Sequence, residues 1–416
     1  MVYQQFRRPL PFLNIRRLWI ASVISQSGDF FSYIAVLNWI RTHVGTAHSL
    51  SGWVIAQSLA IMFTGILTGV WVDRYDRKKI LIITDLVRAA LVLSIPFIPA
   101  VRGLYVIGFL LAALTSLYAS AQNALLPSLV PSPAYLLRVN SWFAFGSNAV
   151  RILLPSIAGM VVETTPLQAP FVIDSFTFLL SALLLSRISP DSLGEQERPP
   201  GKERFPPLMV LAMLKEAFQF IYDNKGALSL LVSRIGAAFG AGILRVVLIL
   251  HVSLIMQKAS IGYGISLSAI SAGSLLSVLI LGVLKRRLIH EVLYGKGLLL
   301  VGIGYIGVSM ARSPYFLFIF LFINGLGDGA VIASFRSLSQ VIVPESLRGR
   351  FFGILATSFR LASTIGAGVA GVVGDLWGSD KAILLSGAII LSAAIFYMAI
   401  EVLPLLPCSR NRKSSS

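Results

Sequence analysis

Long apolar runs alternate with short polar connections along nearly the whole of this chain. A helix that crosses the hydrocarbon core of a bilayer needs about 20 apolar residues. Runs of that length fall near 18–39, 50–71, 80–100, 104–126, 141–162 and 168–187, then near 227–254, 261–284, 293–311, 314–336, 351–372 and 382–403. The pattern predicts an all-α membrane protein with twelve transmembrane helices in two six-helix bundles, because helices satisfy their own backbone in lipid. The longest polar stretch, rich in Pro, Gly and charge, separates the halves. We read residues 1–188 as the first bundle, 189–207 as a cytoplasmic linker, 208–225 as an amphipathic surface helix, 226–404 as the second bundle and 405–416 as a cytoplasmic tail. In the surface helix, Leu214, Ala217, Phe218, Ile221 and Tyr222 recur at helical spacing, with Lys215, Glu216 and Asp223 on other faces.

Composition agrees with this partition. The chain is 56% hydrophobic and 13% charged, with a mean hydropathy of +0.81, whereas soluble domains carry about 25% charged residues. Its formal charge of +17 lies in clusters between apolar runs and not along one stripe, which argues for membrane topology over nucleic-acid binding. Alternate connections counted from the N-terminus hold 23 Lys and Arg against 5 in the intervening ones. Positive charge is retained on the cytoplasmic side, so both termini are expected there. The first apolar run exceeds a signal-peptide core and is followed by many like it, so the N-terminus reads as mature. Cys408, the only cysteine, excludes an intrachain disulfide and a cysteine metal cage. There is no phosphate-binding Gly-x-x-x-x-Gly-Lys loop and no Gly-x-Ser-x-Gly elbow, and the four histidines do not cluster. The expectation is a protein that is not an enzyme, has no cofactor or metal, and draws energy from a gradient.

The densest cationic run is Gly69-Val-Trp-Val-Asp73-Arg74-Tyr-Asp76-Arg77-Lys78-Lys79, between the second and third apolar runs. The halves also echo each other: aligning Phe143 with Phe352 brings Arg151 onto Arg360 and Ala158-Gly159 onto Ala367-Gly368, with Pro131 and Pro344 ending the preceding spans. Parallel six-span repeats are what two-bundle transporters show. On these residues the chain resembles the major facilitator superfamily over its whole length. The Gly69–Lys79 run resembles that superfamily's signature loop, with Asp76 in place of the second glycine. That departure, Asp85-Leu-Val-Arg88, Ser25-Gln-Ser-Gly28-Asp29, Leu126-Pro127-Ser-Leu-Val-Pro131 and Val343-Pro344-Glu345-Ser-Leu347-Arg348-Gly349-Arg350 are similar to the branch with macrolide-efflux proteins and the enterobactin exporter. The resemblance implies the major facilitator fold, with a gate in which Asp73 meets the start of helix eleven near Arg350 and Arg77 pairs with an acid such as Glu345. Gly69, Asp73, Arg74, Asp76, Arg77, Glu345, Arg348 and Arg350 are therefore the candidate gating residues. Lys78 and Lys79 fit topology alone.

Charges inside spans are costly and need partners or a wet cavity. Asp29 and Asp328 fall near the middles of the first and tenth spans, which line the central cavity in the resembled family. They are candidates for proton coupling; the competing reading is a hydrogen-bonded structural role beside their neighbouring glycines. Arg151, Arg234, Arg245, Arg336 and Arg360 are candidates for a substrate cavity that favours carboxylate-bearing molecules through bidentate hydrogen bonds. For Arg88, with Asp85 one turn back, a structural pair is expected, and for Asp174, near the outer end of the sixth span, a structural role. Glycines at 146, 159, 366, 368, 371 and 374 suit close helix approach. Leu154 and Ala158 stand where the antiporter motif of related exporters has glycines.

The expected function is secondary transport in the bacterial inner membrane: export of an amphipathic small molecule such as a drug, siderophore or carboxylate-bearing metabolite, in exchange for protons. Expected partners are that substrate, protons and membrane lipid, with no nucleic acid and a monomeric chain. An importer or lipid flippase, or a non-transporting scaffold or sensor, are the alternatives.

Overall fold

The computed structural model describes residues 10–130, 132–189, 207–283 and 290–402. Nearly all of the expected linker, the tail with Cys408, the basic run Lys285–Arg287 and Pro131 lie outside the described residues. Among those described there are thirteen α-helices: α1 Leu10–His43, α2 Ala47–Arg74, α3 Arg77–Ser94, α4 Val101–Leu129, α5 Pro133–Thr164, α6 Ala169–Ser186, α7 Pro207–Asp223, α8 Lys225–Ile255, α9 Ala259–Val283, α10 His290–Met310, α11 Pro314–Ile342, α12 Glu345–Trp377 and α13 Ser379–Glu401. Eleven of them are long and apolar enough to cross a membrane, one fewer than the twelve expected. The difference is α2, which is 28 residues long but is not among the eleven.

The helices fall into two compact units. One holds α1, α2 from Ile55, and α3 to α6; the other holds the eleven residues Val44–Val54 together with α7 to α13. The start of α2 thus belongs to the second unit, and the reason lies at the end of α12. Asp375 accepts the backbone N–H groups of Ala47 at 2.6 Å and His48 at 3.1 Å, and Ser51 Oγ donates to the Ala367 carbonyl at 2.6 Å. A carboxylate at the first turn of a helix satisfies unpaired N–H groups and complements the helix dipole.

In the first unit α6 packs between α1 and α3, over a core of Ile15, Leu18, Leu81, Tyr118, Leu125 and Leu185. In the second, glycines let backbone meet backbone at several crossings. A Cβ on Gly242 would stand 2.1 Å from the Ser363 carbonyl oxygen, and one on Gly366 would stand 2.1 Å from that of Phe239, so α8 and α12 meet glycine against backbone in both directions. The same reciprocity joins α9 to α11 through Gly273 and Gly325. In lipid, where apolar association gains little, such close approach is a main source of helix cohesion.

The amphipathic helix forms as α7, but its buried face is narrower than the sequence pattern suggested. Ala217 and Ile221 are buried with Leu230, Tyr294 and Phe351 in the core of the second unit, while Phe218 and Tyr222 are exposed. The periodicity identified a helix and an apolar side, but two of its apolar residues do not join that core.

Candidate transport site

Among the described residues, each unit sets an arginine against aromatic rings in its interior. In the first, Asp85 and Arg88 lie one turn apart on α3 and pair with each other, both buried. Asp85 also accepts the Ser181 hydroxyl of α6 at 2.6 Å. The Arg88 guanidinium lies 4.6 Å from the Tyr118 ring centre and 4.3 Å from that of Phe178, between α4 and α6. Aromatic faces on two sides stabilise a desolvated guanidinium that one carboxylate would satisfy only partly. The expected Arg88–Asp85 pair is present, and it has more neighbours than one helix face predicts: Asp29 of α1 lies within electrostatic reach of Arg88.

Arg234 is the counterpart in the second unit. Its guanidinium lies 5.3 Å from the Phe335 ring centre and 5.0 Å from that of Phe359, one ring from α11 and one from α12. Arg234 is also the charged neighbour of Asp328 on α11. Nearby on α8 and α10, Ser233 and Tyr294 share a 2.8 Å hydrogen bond, and the Tyr294 ring packs edge-on against Tyr397 of α13 at 4.5 Å. Among the described residues, each unit therefore carries a buried or half-buried arginine clasped by two aromatic rings, with an acid from a different helix within electrostatic reach. Of the residues picked out in sequence, Asp328 lies within electrostatic reach of Arg234 and Asp29 within that of Arg88, without an ion pair in either case.

Arg151, Arg245, Arg336 and Arg360 are all exposed on their helices. A recess of about 290 Å³ between α2, α3 and α4, lined by Thr64, Thr68, Trp71, Val87, Leu91 and Leu114 among others, includes none of the candidate site residues.

The signature loop has a firmer local role than a turn with charges. Asp76 is the N-cap of α3, accepting the N–H groups of Lys78 at 2.9 Å and Lys79 at 3.3 Å. A glycine there would lack that side-chain oxygen, which gives the unusual residue a physical purpose. Arg77 donates to the Ala124 carbonyl of α4 at 2.9 Å, and Lys78 donates to the carbonyls of Ser186, the last residue of α6, and Ile188 just beyond it, at 2.8 and 2.7 Å. Lys78 thus holds a helix terminus, a role beyond the topology expected for it from sequence. Asp73 and Arg74 are exposed. On the other sequence segment, Arg348 donates to the Val343 and Gln340 carbonyls at the end of α11, at 3.2 and 2.8 Å. Arg350 pairs with Glu216 of α7 at 2.5 Å, and Glu345 is exposed in the first turn of α12.

Sequence reasoning passed over Asp375. A signal was present: Gly69-Val-Trp-Val-Asp73 closes α2, and Gly371-Val-Val-Gly-Asp375 closes α12 in the same Gly-x-x-x-Asp spelling.

With this geometry in view, comparison with known proteins is specific. Residues 7–413 match the family described as transmembrane secretion effector, within the major facilitator superfamily. The chain belongs to that family. It is similar to YfiS of Bacillus subtilis (strain 168), an uncharacterised transporter of the same superfamily type, at 27% identity over 91% of each chain. It is also similar to macrolide efflux protein A of Streptococcus pyogenes, at 25% identity over 92% of this chain and 95% of that one. Among solved structures it resembles a bacterial homologue of the human lysosomal transporter Spinster, in an inward-facing, occupied conformation. That match has a TM-score of 0.74 at 13% identity, covering 94% of this chain and 97% of the other, and it bears on the fold. This family member is a multi-pass membrane protein and a secondary transporter, not an enzyme.

Proposed function

We propose that this transporter exports an amphipathic small molecule across the bacterial inner membrane in exchange for protons, by alternating access, with both termini cytoplasmic. The observation that carries the reading is the pair of acids set in apolar helices, Asp29 and Asp328, each within electrostatic reach of an arginine that aromatic rings enclose, Arg88 and Arg234. Ionisable groups at such depth are expensive, and their usual reason for being there is an ion or substrate pathway. An acid beside a fixed arginine can lose a proton without leaving the interior with an uncompensated charge, which suits a carrier that cycles between protonation states. Efflux is the direction named for the Streptococcus pyogenes relative. That relative also supports placing this chain near the macrolide-efflux branch, with drugs, siderophores and carboxylate-bearing metabolites as substrate classes.

In this reading Arg234 and the exposed Arg151, Arg245, Arg336 and Arg360 supply cations for a substrate's carboxylate. Gly69, Asp73, Arg74, Asp76 and Arg77 act with Glu345, Arg348 and Arg350 as a gate whose contacts differ between states, and such differential contacts bias the equilibrium between them.

The test is accumulation of a radiolabelled macrolide and of ethidium in cells with and without the protein, repeated with a proton uncoupler. Lower accumulation that the uncoupler abolishes supports the proposal. Higher accumulation favours an importer, and no change for either probe or for a wider compound panel favours a scaffold or sensor.

A further inference from the structure

The recess between α2, α3 and α4 is walled by hydrocarbon. Its volume is about 290 Å³, and among the described residues no charged side chain lines it. The two hydroxyls in its wall are already engaged: Thr64 donates to the Ala60 carbonyl at 2.7 Å, and Thr68 donates to that of Gly65 at 3.4 Å and has the Ser120 hydroxyl at 3.2 Å. Such a space offers a water molecule no partner, and apolar cavities stay dry. Yet it is not sealed, because Trp71 and Val87 in its wall are 53% and 40% exposed. Both α3 and α4 are long and apolar enough to cross a membrane. The fluid that meets an exposed apolar wall at this depth is the hydrocarbon of the bilayer.

Along this wall the chemistry changes in one direction. On α2, Thr64, Thr68 and Trp71 recur on one helical face, and Tyr75, whose N–H donates to the Trp71 carbonyl at 3.0 Å, continues the stripe. On α3, Leu91, Val87, Ile83 and Lys79 follow one another at four-residue steps, with Ile83 and Lys79 exposed. Only Tyr75 and Asp76 connect the two helices, so both stripes reach the same side of the membrane. Exposed at that end are the aromatic pair Trp71 and Tyr75 and the cations Arg74 and Lys79. From Thr64 to Tyr75 the helical rise is about 16 Å, close to half the depth of a hydrocarbon core about 30 Å thick. Hydrocarbon slot, aromatic pair and cations thus succeed one another in the order of a phospholipid's acyl chain, interfacial region and phosphate.

We propose that this recess is a phospholipid site: one acyl chain lies in the slot between Thr64, Leu91 and Leu114, Trp71 and Tyr75 flank the interfacial region, and Lys79 with Arg74 holds the phosphate of an anionic headgroup. Lys79 then has a binding role beyond the topology read from sequence. The Lys and Arg distribution assigns this side to the cytoplasm, so the lipid belongs to the inner leaflet. A chain seated there gives the slot's lining the contact atoms that a void withholds, and packs α2, α3 and α4 against one ligand. The site is separate from Asp29, Asp328 and the arginines offered to the substrate, and goes beyond the transport reading.

The test is native mass spectrometry of the purified full-length protein in detergent, with phosphatidylglycerol or phosphatidylcholine added. Wild type should retain phosphatidylglycerol under activation that strips phosphatidylcholine. Ala113→Phe, which places a ring in the recess, should abolish that retention. Lys79→Gln should weaken phosphatidylglycerol binding about fivefold, the effect of one cation near the surface, and leave phosphatidylcholine unchanged. Equal retention of the two lipids by wild type, or undiminished phosphatidylglycerol on Ala113→Phe, overturns the proposal. A wild-type dimer that Ala113→Phe dissociates also overturns it, because the recess would then receive a second copy of the chain. Should Ala113→Phe not fold, Lys79→Gln decides alone, and an unchanged affinity for phosphatidylglycerol overturns the proposal. Lipid retention is read without any transport assay, so a failure of the proposed export leaves this result standing.

Discussion

Asp76 illustrates what a single residue can carry. Read as a departure from a family signature it pointed to a branch; in the structure it is an N-cap whose two accepted N–H groups start α3. Asp76→Ala should destabilise the protein by about 0.5–2 kcal/mol, the usual cost of losing such a cap, measured by thermal unfolding in detergent. Asp76→Gly should cost only a few tenths of a kcal/mol. Arg88 is a sterner case, because removing one partner of a buried pair strands the other. Arg88→Ala should cost about 3–5 kcal/mol, while pairing it with Asp85→Asn should recover part of that loss in the same assay. At the proposed proton carriers, Asp29→Asn and Asp328→Asn should abolish uphill export while leaving membrane insertion intact, checked by accumulation assay alongside membrane fractionation. Normal coupled transport in both variants removes them as carriers. Sequence made Asp29, Asp328 and the Asp85–Arg88 pair legible because charge in an apolar run is conspicuous wherever it falls. It did not reveal that Asp174 sits against Gly28, since no spacing within α6 encodes which residue of α1 crosses there. Nor did it separate Arg234, clasped by Phe335 and Phe359, from Arg245, exposed on the same helix.

Helices are where the sequence was most readable, as the length and apolarity of a span are local properties. Their ends were less so: α1 extends to Leu10 and His43, beyond the apolar run near 18–39, because backbone hydrogen bonding continues past the hydrocarbon limit. Crossings were legible only as glycine-rich stretches. Gly366, picked out in sequence, meets the Phe239 carbonyl, and its reciprocal partner Gly242 was not singled out, since a lone glycine in a long apolar helix carries no mark of its neighbour. A side chain at Gly366 has backbone in its way, which cannot move aside as a flexible side chain can. Gly366→Leu should therefore lower the amount of folded protein sharply, by overpacking worth about 1–3 kcal/mol or more, read by size-exclusion monodispersity in detergent. The surface-exposed Gly353, whose Cβ would meet nothing within 4 Å, is the control: Gly353→Ala should be tolerated. At the end of α12, Asp375→Asn removes the charge at the first turn of α2 and one of the two acceptor oxygens, since Oδ1 takes the Ala47 N–H and Oδ2 that of His48. The charge contribution to the expected loss is about 0.3–1 kcal/mol and should shrink at high salt, as a helix-dipole interaction does, while the lost hydrogen bond remains at any salt.

The chain folds into two helical units, each with an arginine clasped by aromatic rings and an acid within electrostatic reach of it, in a family of secondary transporters. Its orientation rests on the distribution of Lys and Arg, and Cys408, the single cysteine, offers a direct check. With the C-terminus cytoplasmic, a membrane-impermeant maleimide should label Cys408 in permeabilised cells and not in intact ones. Labelling of intact cells would reverse the proposed topology and with it the direction of transport. Coupling is the central claim, and it is tested most directly with the purified protein in liposomes under an imposed pH gradient, interior acidic, with a radiolabelled macrolide outside. The account predicts uphill accumulation of the macrolide that collapses when nigericin dissipates the gradient and is absent in Asp29→Asn. Accumulation to the same level with and without the gradient would contradict it.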